Sequence, residues 1–106
     1  MAVKTLGLKA VTAGTAVAVS ATRIPCQAFV VQADPDNDAI GACGISTLVY
    51  STRVGVIGFI GVPSATGTII PAFSSHDSLA PGPFNLADLY LDCDSGTQNF
   101  IVSYVE

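Results

Sequence analysis

Apolar and polar residues alternate with a period of two along much of the chain. Residues 15–21 show this alternation, and several later stretches are rich in β-branched and aromatic residues and have the length of strands. Asp, Asn, Pro and Gly, which favour tight turns, separate these stretches. The predicted strands cover residues 15–21, 24–33, 45–50, 54–62, 68–70, 85–92 and 100–105, and the strongest predicted turns cover residues 34–38 and 79–83.

This pattern predicts an all-β fold in one domain. Seven or eight short strands with a turn about every 8–12 residues indicate a single antiparallel β-sandwich, jelly-roll-like in its arrangement, or a small barrel. One helical turn is compatible with residues 85–89, because Asn85 is a good N-cap. We expect an N-terminal arm at residues 1–10 and the β-sandwich domain at residues 11–106.

Glycine recurs at every third position of the most apolar predicted strand, at residues 55, 58 and 61. A collagen repeat is excluded, because collagen needs a long Gly-X-Y run with abundant proline. Glycine inside a strand marks a bulge or a place where another group approaches the backbone closely. The repeat therefore predicts such features in this strand.

The composition shows that few residues are charged. The chain has 106 residues, of which 4 are Lys or Arg and 8 are Asp or Glu, and half are hydrophobic; the mean hydropathy is +0.58. A disordered chain is excluded, because such chains have few apolar residues, and so few cations argue against nucleic acid as a partner. A membrane partner is disfavoured as well, because the apolar stretches have strand length and a spanning helix needs about 20 apolar residues. The remaining explanation of the low charge and high apolar content is that part of the surface is covered by another protein.

Residues 10–21 carry a weak signature of a secretory leader. Lys4 and Lys9 precede them, and Val19-Ser20-Ala21 resembles a small-residue cleavage site. The stretch lacks Leu, Ile and Phe and alternates as a strand does, so a strand is the favoured interpretation.

Three cysteines, Cys26, Cys43 and Cys93, leave at least one thiol unpaired. Neither a Cys-x-x-Cys motif nor a Cys/His zinc pattern accompanies them. We expect buried thiols in a chain made in a reducing host cytoplasm. A disulfide between Cys26 and Cys93, or between Cys43 and Cys93, stays open.

One acidic turn is a weak candidate for a metal site. Asp34, Asp36 and Asp38 stand at alternating positions, as in the first half of a calcium-binding loop. Such a loop needs glycine at its sixth position and glutamate at its twelfth, where this chain has Ala39 and Ile45. A solvated turn is therefore favoured, and no metal or cofactor is predicted.

The polar segment around His76 is the one place that suggests catalysis. His76 and Asp77 are flanked by Ser74, Ser75 and Ser78. A catalytic triad needs these groups to converge, but adjacent side chains of an extended segment point in opposite directions. The Gly-x-Ser-x-Gly elbow of hydrolases is missing. We therefore expect a polar loop and no catalytic residues.

The order of several short motifs resembles a family of small virion proteins of tailed bacteriophages, most like the capsid decoration (cement) proteins. The motifs are the alternating residues 15–22, Pro25-Cys26, Val30-Val31-Gln32-Ala33-Asp34 with Asn37, Leu79-Ala80-Pro81-Gly82, Leu86-Ala87-Asp88-Leu89-Tyr90-Leu91-Asp92, Gly96 and Val102-Ser103-Tyr104. The resemblance covers roughly residues 8–105. The middle, residues 44–78, departs from it, being longer and more apolar.

The resemblance implies a non-enzymatic β-sandwich that sits as a trimer on the outer surface of a capsid. The implied partners are further copies of this chain and the major capsid protein. Because obligate interfaces resemble a domain core cut in half, the most apolar strand is the expected contact surface. Its candidate residues are Val54, Val56, Phe59 and Ile60.

Two other functions stay open. The chain could be a module of a phage tail, fibre or baseplate that contacts a host glycan, with a groove around Tyr50, His76 and Asp77. It could also be a small secreted enzyme or inhibitor with one disulfide.

Overall fold

A computed structural model of the chain describes residues 2–63, 71–75 and 83–106. Their regular structure is almost entirely β, so the predicted all-β class is confirmed. The strands are β1 (Val3–Thr5), β2 (Lys9–Thr12), β3 (Val17–Ala18), β4 (Pro25–Cys26), β5 (Ala28–Ala33), β6 (Gly41–Val49), β7 (Val54–Ile60), β8 (Ala72–Ser74), β9 (Phe84–Asn85), β10 (Tyr90–Cys93) and β11 (Thr97–Val105). A 3₁₀ turn, Leu86–Asp88, lies between β9 and β10, and Asn85 caps it by accepting a hydrogen bond from the Ala87 N–H.

Two antiparallel sheets form a sandwich with jelly-roll connectivity. The first sheet has the strand order β2-β11-β5-β8, and the second has the order β3-β10-β6-β7. Strand β1 pairs with the end of β11 on the same side as β2, and β4 and β9 form a separate small ribbon. The two sheets proper thus use eight strands arranged as two Greek keys.

Several predicted boundaries differ from the observed ones. Only Val17–Ala18 of the alternating residues 15–21 form a strand, and the predicted boundary between residues 10 and 11 falls inside β2. Residues of the expected arm form β1, which pairs with β11. The predicted strand at residues 68–70 lies outside the described residues.

The core lies between the sheets and follows the alternation of the strands. Along β11 every second side chain is buried, and Phe100 is wholly enclosed. Burial of a side chain of this size stabilises the fold by about 2–3 kcal/mol. The same core includes, among others, Phe29, Val31, Cys43, Ile60, Phe73, Leu86, Leu91, Cys93 and Val102.

Glycine is required where side chains of the first sheet press against the second. A Cβ atom on Gly58 would lie 2.2 Å from Cδ1 of Phe73, and one on Gly41 would lie 2.3 Å from Cζ of Phe100. The predicted close approach is therefore confirmed at Gly58. At Gly55 the backbone has a φ of +72° and lies beside a shift in the β6–β7 register, as the predicted bulge requires.

Candidate functional site

The β6–β7 hairpin folds back over the outer face of the second sheet. The pairing shifts between Gly44 and Val49, because Gly44 pairs with Val56 while Val49 pairs with Val54. The extra residues of β6 form a bulge within the strand, and a Cβ on Gly44 would lie 2.1 Å from the Gly55 carbonyl oxygen. A second apolar cluster results on this outer face, formed by Ala42, Leu48 and Tyr50 with Ala16, Val56 and Tyr90 packed against it.

A buried carboxylate holds the hairpin in this position. Asp92 is 2% exposed, and its Oδ2 accepts a hydrogen bond from the Tyr50 N–H at 3.0 Å. Its Oδ1 accepts hydrogen bonds from the N–H groups of Cys93, at 2.8 Å, and Gly14, at 3.3 Å. Hydrogen bonds to a charged acceptor are stronger than neutral ones, so Asp92 ties β10, the hairpin and the turn before β3 together. The sequence offered one signal for this role, an acidic residue inside the apolar strand β10.

Arg53 lies across two aromatic rings at the tip of the hairpin. Its guanidinium carbon is 4.3 Å from the centre of the Tyr50 ring and 5.8 Å from that of Phe59. One guanidinium N–H donates to the Tyr50 carbonyl oxygen, and the backbone has a left-handed φ of 63°. The rings of Tyr50 and Phe59 meet edge to face. These contacts hold the cation in one place, where its other donors remain available.

The predicted interface residues divide into exposed and buried ones. Val54 is 49% exposed and Phe59 is 50% exposed, while Val56 is half-buried in the outer cluster. Ile60 is 0% exposed because it faces the core between the sheets, so its prediction as a contact residue is wrong. Val49, which was not predicted, is exposed beside Val54. We call the surface formed by Val49, Arg53, Val54 and Phe59 the hairpin patch.

A pocket of about 350 Å³ opens between the two sheets on another side of the same hairpin. We call it the inter-sheet pocket, and its lining is mostly apolar. Its polar lining residues are Asn85 and Asp88, and the Asn85 side-chain oxygen is engaged by the N–H groups of Ile24 and Ala87. The lining consists of Phe29, Gly44, Ile45, Ile57, Pro83, Phe84, Asn85, Asp88 and Leu89.

The acidic turn at Asp34, Asp36 and Asp38 is organised by hydrogen bonds. Asp34 Oδ1 accepts from the Asp36 N–H at 2.9 Å, and Asp38 Oδ1 accepts from Nε2 of the buried Gln98 at 2.8 Å. Within the described ranges, no group of three His, Cys, Asp or Glu side chains is placed to hold a metal ion. The turn thus fastens to β11 through Gln98, and the weak cation-site candidate is not assembled.

All three cysteines are free and buried. Burial raises the pKa of the Cys43 thiol to about 12. Burial also raises the thiol pKa of Cys26, and at Cys93 burial is joined by the negative charges of Asp92 and Asp94. Neither of the disulfides that the sequence left open is formed.

The residues suggested for catalysis or glycan binding are not gathered into a site by the described part of the chain. His76, Asp77 and Ser78 lie outside it. Ser75 is 1% exposed and its hydroxyl oxygen accepts a hydrogen bond from the Phe29 N–H at 2.8 Å. Tyr50 is buried, and the Arg53 guanidinium covers its ring.

In the described ranges no helix has both the length and the apolar character needed to cross a membrane. Among the described residues, the hairpin patch and the inter-sheet pocket are two of the features that leave apolar groups open to solvent. Comparisons of the chain with protein-family models, with curated proteins and with solved structures return no match.

Proposed function

We propose that the chain is a structural virion protein that self-associates as a homotrimer and stabilises a phage capsid by binding the major capsid protein at its outer surface. One observation carries the proposal: three apolar side chains of a single hairpin, Val49, Val54 and Phe59, remain 42%, 49% and 50% exposed. In a chain with only 11% charged residues, such a surface is typical of an interface.

The distribution of the family resemblance over the fold supports the same proposal. The motif Leu79-Ala80-Pro81-Gly82 lies outside the described residues, and most of the other resembling motifs lie on β3, β4, β5, β10 and β11, which belong to the framework of the sandwich. The departing residues 44–78 include most of the hairpin and therefore the whole hairpin patch. A protein specialised for one particular assembly would combine strands that resemble the family with an apolar hairpin of its own. The jelly roll also occurs in viral capsid proteins, although a fold alone does not define a function.

The glycan-binding alternative has less support. Sugars stack on exposed aromatic faces, but the Tyr50 ring is buried and occupied by Arg53.

The double substitution Val54→Ser with Phe59→Ser tests the proposed self-association. We expect the wild-type chain to sediment as a trimer and the variant as a folded monomer, because both side chains are exposed and their loss leaves the core intact. Val3→Ser with Leu8→Ser is the matched control, since these apolar residues are exposed elsewhere, at 74% and 56%. A variant that stays trimeric would contradict the role of the hairpin patch.

Binding to particles tests the proposed place on the capsid. Purified chain is added to capsids assembled without it, and bound copies are counted by quantitative mass spectrometry after sedimentation. We expect saturation at a multiple of three copies per symmetry-related site and a rise in the temperature of capsid rupture. Recovery of the chain with isolated tails rather than with heads would support the alternative of a tail, fibre or baseplate module.

A further inference from the structure

We propose that the hairpin patch of one copy docks into the inter-sheet pocket of a neighbouring copy, with Phe59 entering the pocket and Arg53 pairing with Asp88. The inference rests on the proposed function only in requiring that the chain self-associates. It names the partner surface, which the proposed function leaves open.

The pocket suits an aromatic side chain in size and in chemistry. A dry apolar cavity of about 150 Å³ is enough for a benzene molecule, and the inter-sheet pocket has a volume of about 350 Å³. Phe29 and Phe84 stand edge to face in its wall with ring centres 5.3 Å apart. A third ring can extend this arrangement with the offset or edge contacts that aromatic groups prefer.

The charges of the two surfaces are complementary. Asp88 is exposed in the lining of the pocket, and its carboxylate has no hydrogen bond or ion pair within the described part of the chain. Arg53 likewise lacks a carboxylate partner there, and the ion pair found among these residues joins Lys4 and Glu106. A guanidinium held by aromatic rings loses little freedom when it meets a carboxylate, which favours a paired interface.

The patch and the pocket of one chain cannot fill each other. Phe59 lies on the outer face of the second sheet, against Tyr50 of the outer cluster, whereas the pocket is lined by Phe29 and Ile57 between the sheets. Each copy therefore offers one of each surface. Such a head-to-tail contact closes into a ring when the rotation between copies permits, and three copies are the smallest ring beyond a dimer.

A charge swap tests the pairing. Arg53→Asp keeps a residue type that tolerates a left-handed φ, and Asp88→Arg changes an exposed position. We expect each single variant to raise the dissociation constant of the oligomer about tenfold or more, measured by sedimentation equilibrium, and the double variant to recover most of the loss. Arg23→Asp and Asp36→Arg are matched controls, because they make the same charge changes at exposed positions that belong neither to the hairpin patch nor to the lining of the inter-sheet pocket.

Cross-linking in trans provides a second test that does not depend on the energetics. One batch carries Val54→Cys and another carries Asp88→Cys, and the mixture is treated with a short bismaleimide. The native thiols are buried with raised pKa values and should stay unmodified. We expect cross-linked dimers that contain one chain of each kind. When Arg23→Cys replaces Val54→Cys, the yield of these dimers should fall to the background level.

The outcomes separate this inference from the proposed function. The inference is overturned if the wild-type chain is oligomeric but the double variant does not recover the lost association and the mixed batches do not cross-link. Self-association would then remain valid without the proposed contact. A wild-type chain that is monomeric at every concentration measured would overturn both. Circular dichroism of each variant excludes unfolding as the cause, and Asp88→Arg remains informative if Arg53→Asp does not fold.

Discussion

Asp92 is the residue on which the outer cluster depends. Its two oxygens accept hydrogen bonds from three backbone N–H groups, those of Gly14, Tyr50 and Cys93. Because the carboxylate is almost completely enclosed and Tyr50 and Cys93 are buried as well, the N–H groups of these two residues cannot turn to water if an oxygen is lost. The hairpin patch is therefore positioned through a residue that does not belong to it.

Asp92→Asn should destabilise the fold by about 2 kcal/mol, because the amide replaces one acceptor by a donor that faces a buried N–H group. Urea denaturation at a concentration where the chain is monomeric measures this loss. Asp94→Asn is the control, since Asp94 is exposed and should change the free energy of unfolding by less than about 0.5 kcal/mol. Equal effects of the two substitutions would refute the anchoring role of Asp92.

The buried thiols make stability fall at high pH. Burial raises the pKa of the Cys43 thiol from its ordinary value of 9.0 to about 12, so the folded state keeps a proton that the unfolded state releases. The contribution is fully present below pH 9 and is lost between pH 9 and pH 12. At pH 10 the loss from this thiol is about 1 kcal/mol relative to pH 7.

Urea denaturation of wild type and Cys43→Ala at pH 7, 8, 9 and 10 measures this loss. Between pH 7 and pH 10 the free energy of unfolding of the variant should fall less than that of wild type, by about that amount. The small cavity left by the substitution lowers the free energy of unfolding at every pH. Parallel curves would show that Cys43 titrates normally in the folded chain.

At the level of elements, the hairpin shows where sequence patterns predict structure and where they do not. Alternation and β-rich composition predicted segments that overlap β3 to β7 and β9 to β11 but not β1, β2 or β8. The glycine repeat predicted the close approach at Gly58 and the bulge at Gly55. The side of the sheet on which Phe59 and Ile60 lie could not be predicted, because residues 54–62 are continuously apolar and carry no period of two. The irregular pairing after Gly44 shifts the register, and a one-residue shift exchanges the two faces of a strand. Likewise, the bond from Tyr50 to Asp92 joins residues far apart in sequence, which only the assembled sheet brings together.

Gly58→Ala tests the close contact between the sheets. The added methyl group would meet the Phe73 ring at 2.2 Å, and overpacking of this kind costs about 2 kcal/mol. Gly61→Ala is a matched control from the same repeat, because its nearest neighbour, Pro71, would lie at an ordinary contact distance of 3.6 Å. We expect a lower midpoint of urea denaturation for Gly58→Ala and almost none of this change for Gly61→Ala. Similar midpoints for both would mean that Phe73 can move aside at little cost.

At the level of the whole molecule, the last strand in sequence completes the first sheet. Strand β11 lies between β5 on one side and β1 and β2 on the other, so both ends of the chain meet in one sheet. Its buried side chains, among them Phe100 and Val102, also form the centre of the core. Most contacts therefore join distant parts of the sequence, and such folds form slowly because long loops must close first.

Two truncations distinguish the contributions of the chain ends. Removal of residues 97–106 deletes β11 and should leave an unfolded chain, because β2 and β5 lose their shared neighbour and the core loses its central side chains. Removal of residues 1–5 deletes only β1, whose three residues are exposed and whose ion pair between Lys4 and Glu106 is half-exposed. Loss of β1 should lower the free energy of unfolding by only about 1 kcal/mol, because each edge hydrogen bond contributes little beyond the entropy cost of ordering its residue. Far-UV circular dichroism and urea denaturation measure both effects, and a cooperative transition in the chain lacking β11 would show that the sandwich can close without its central strand.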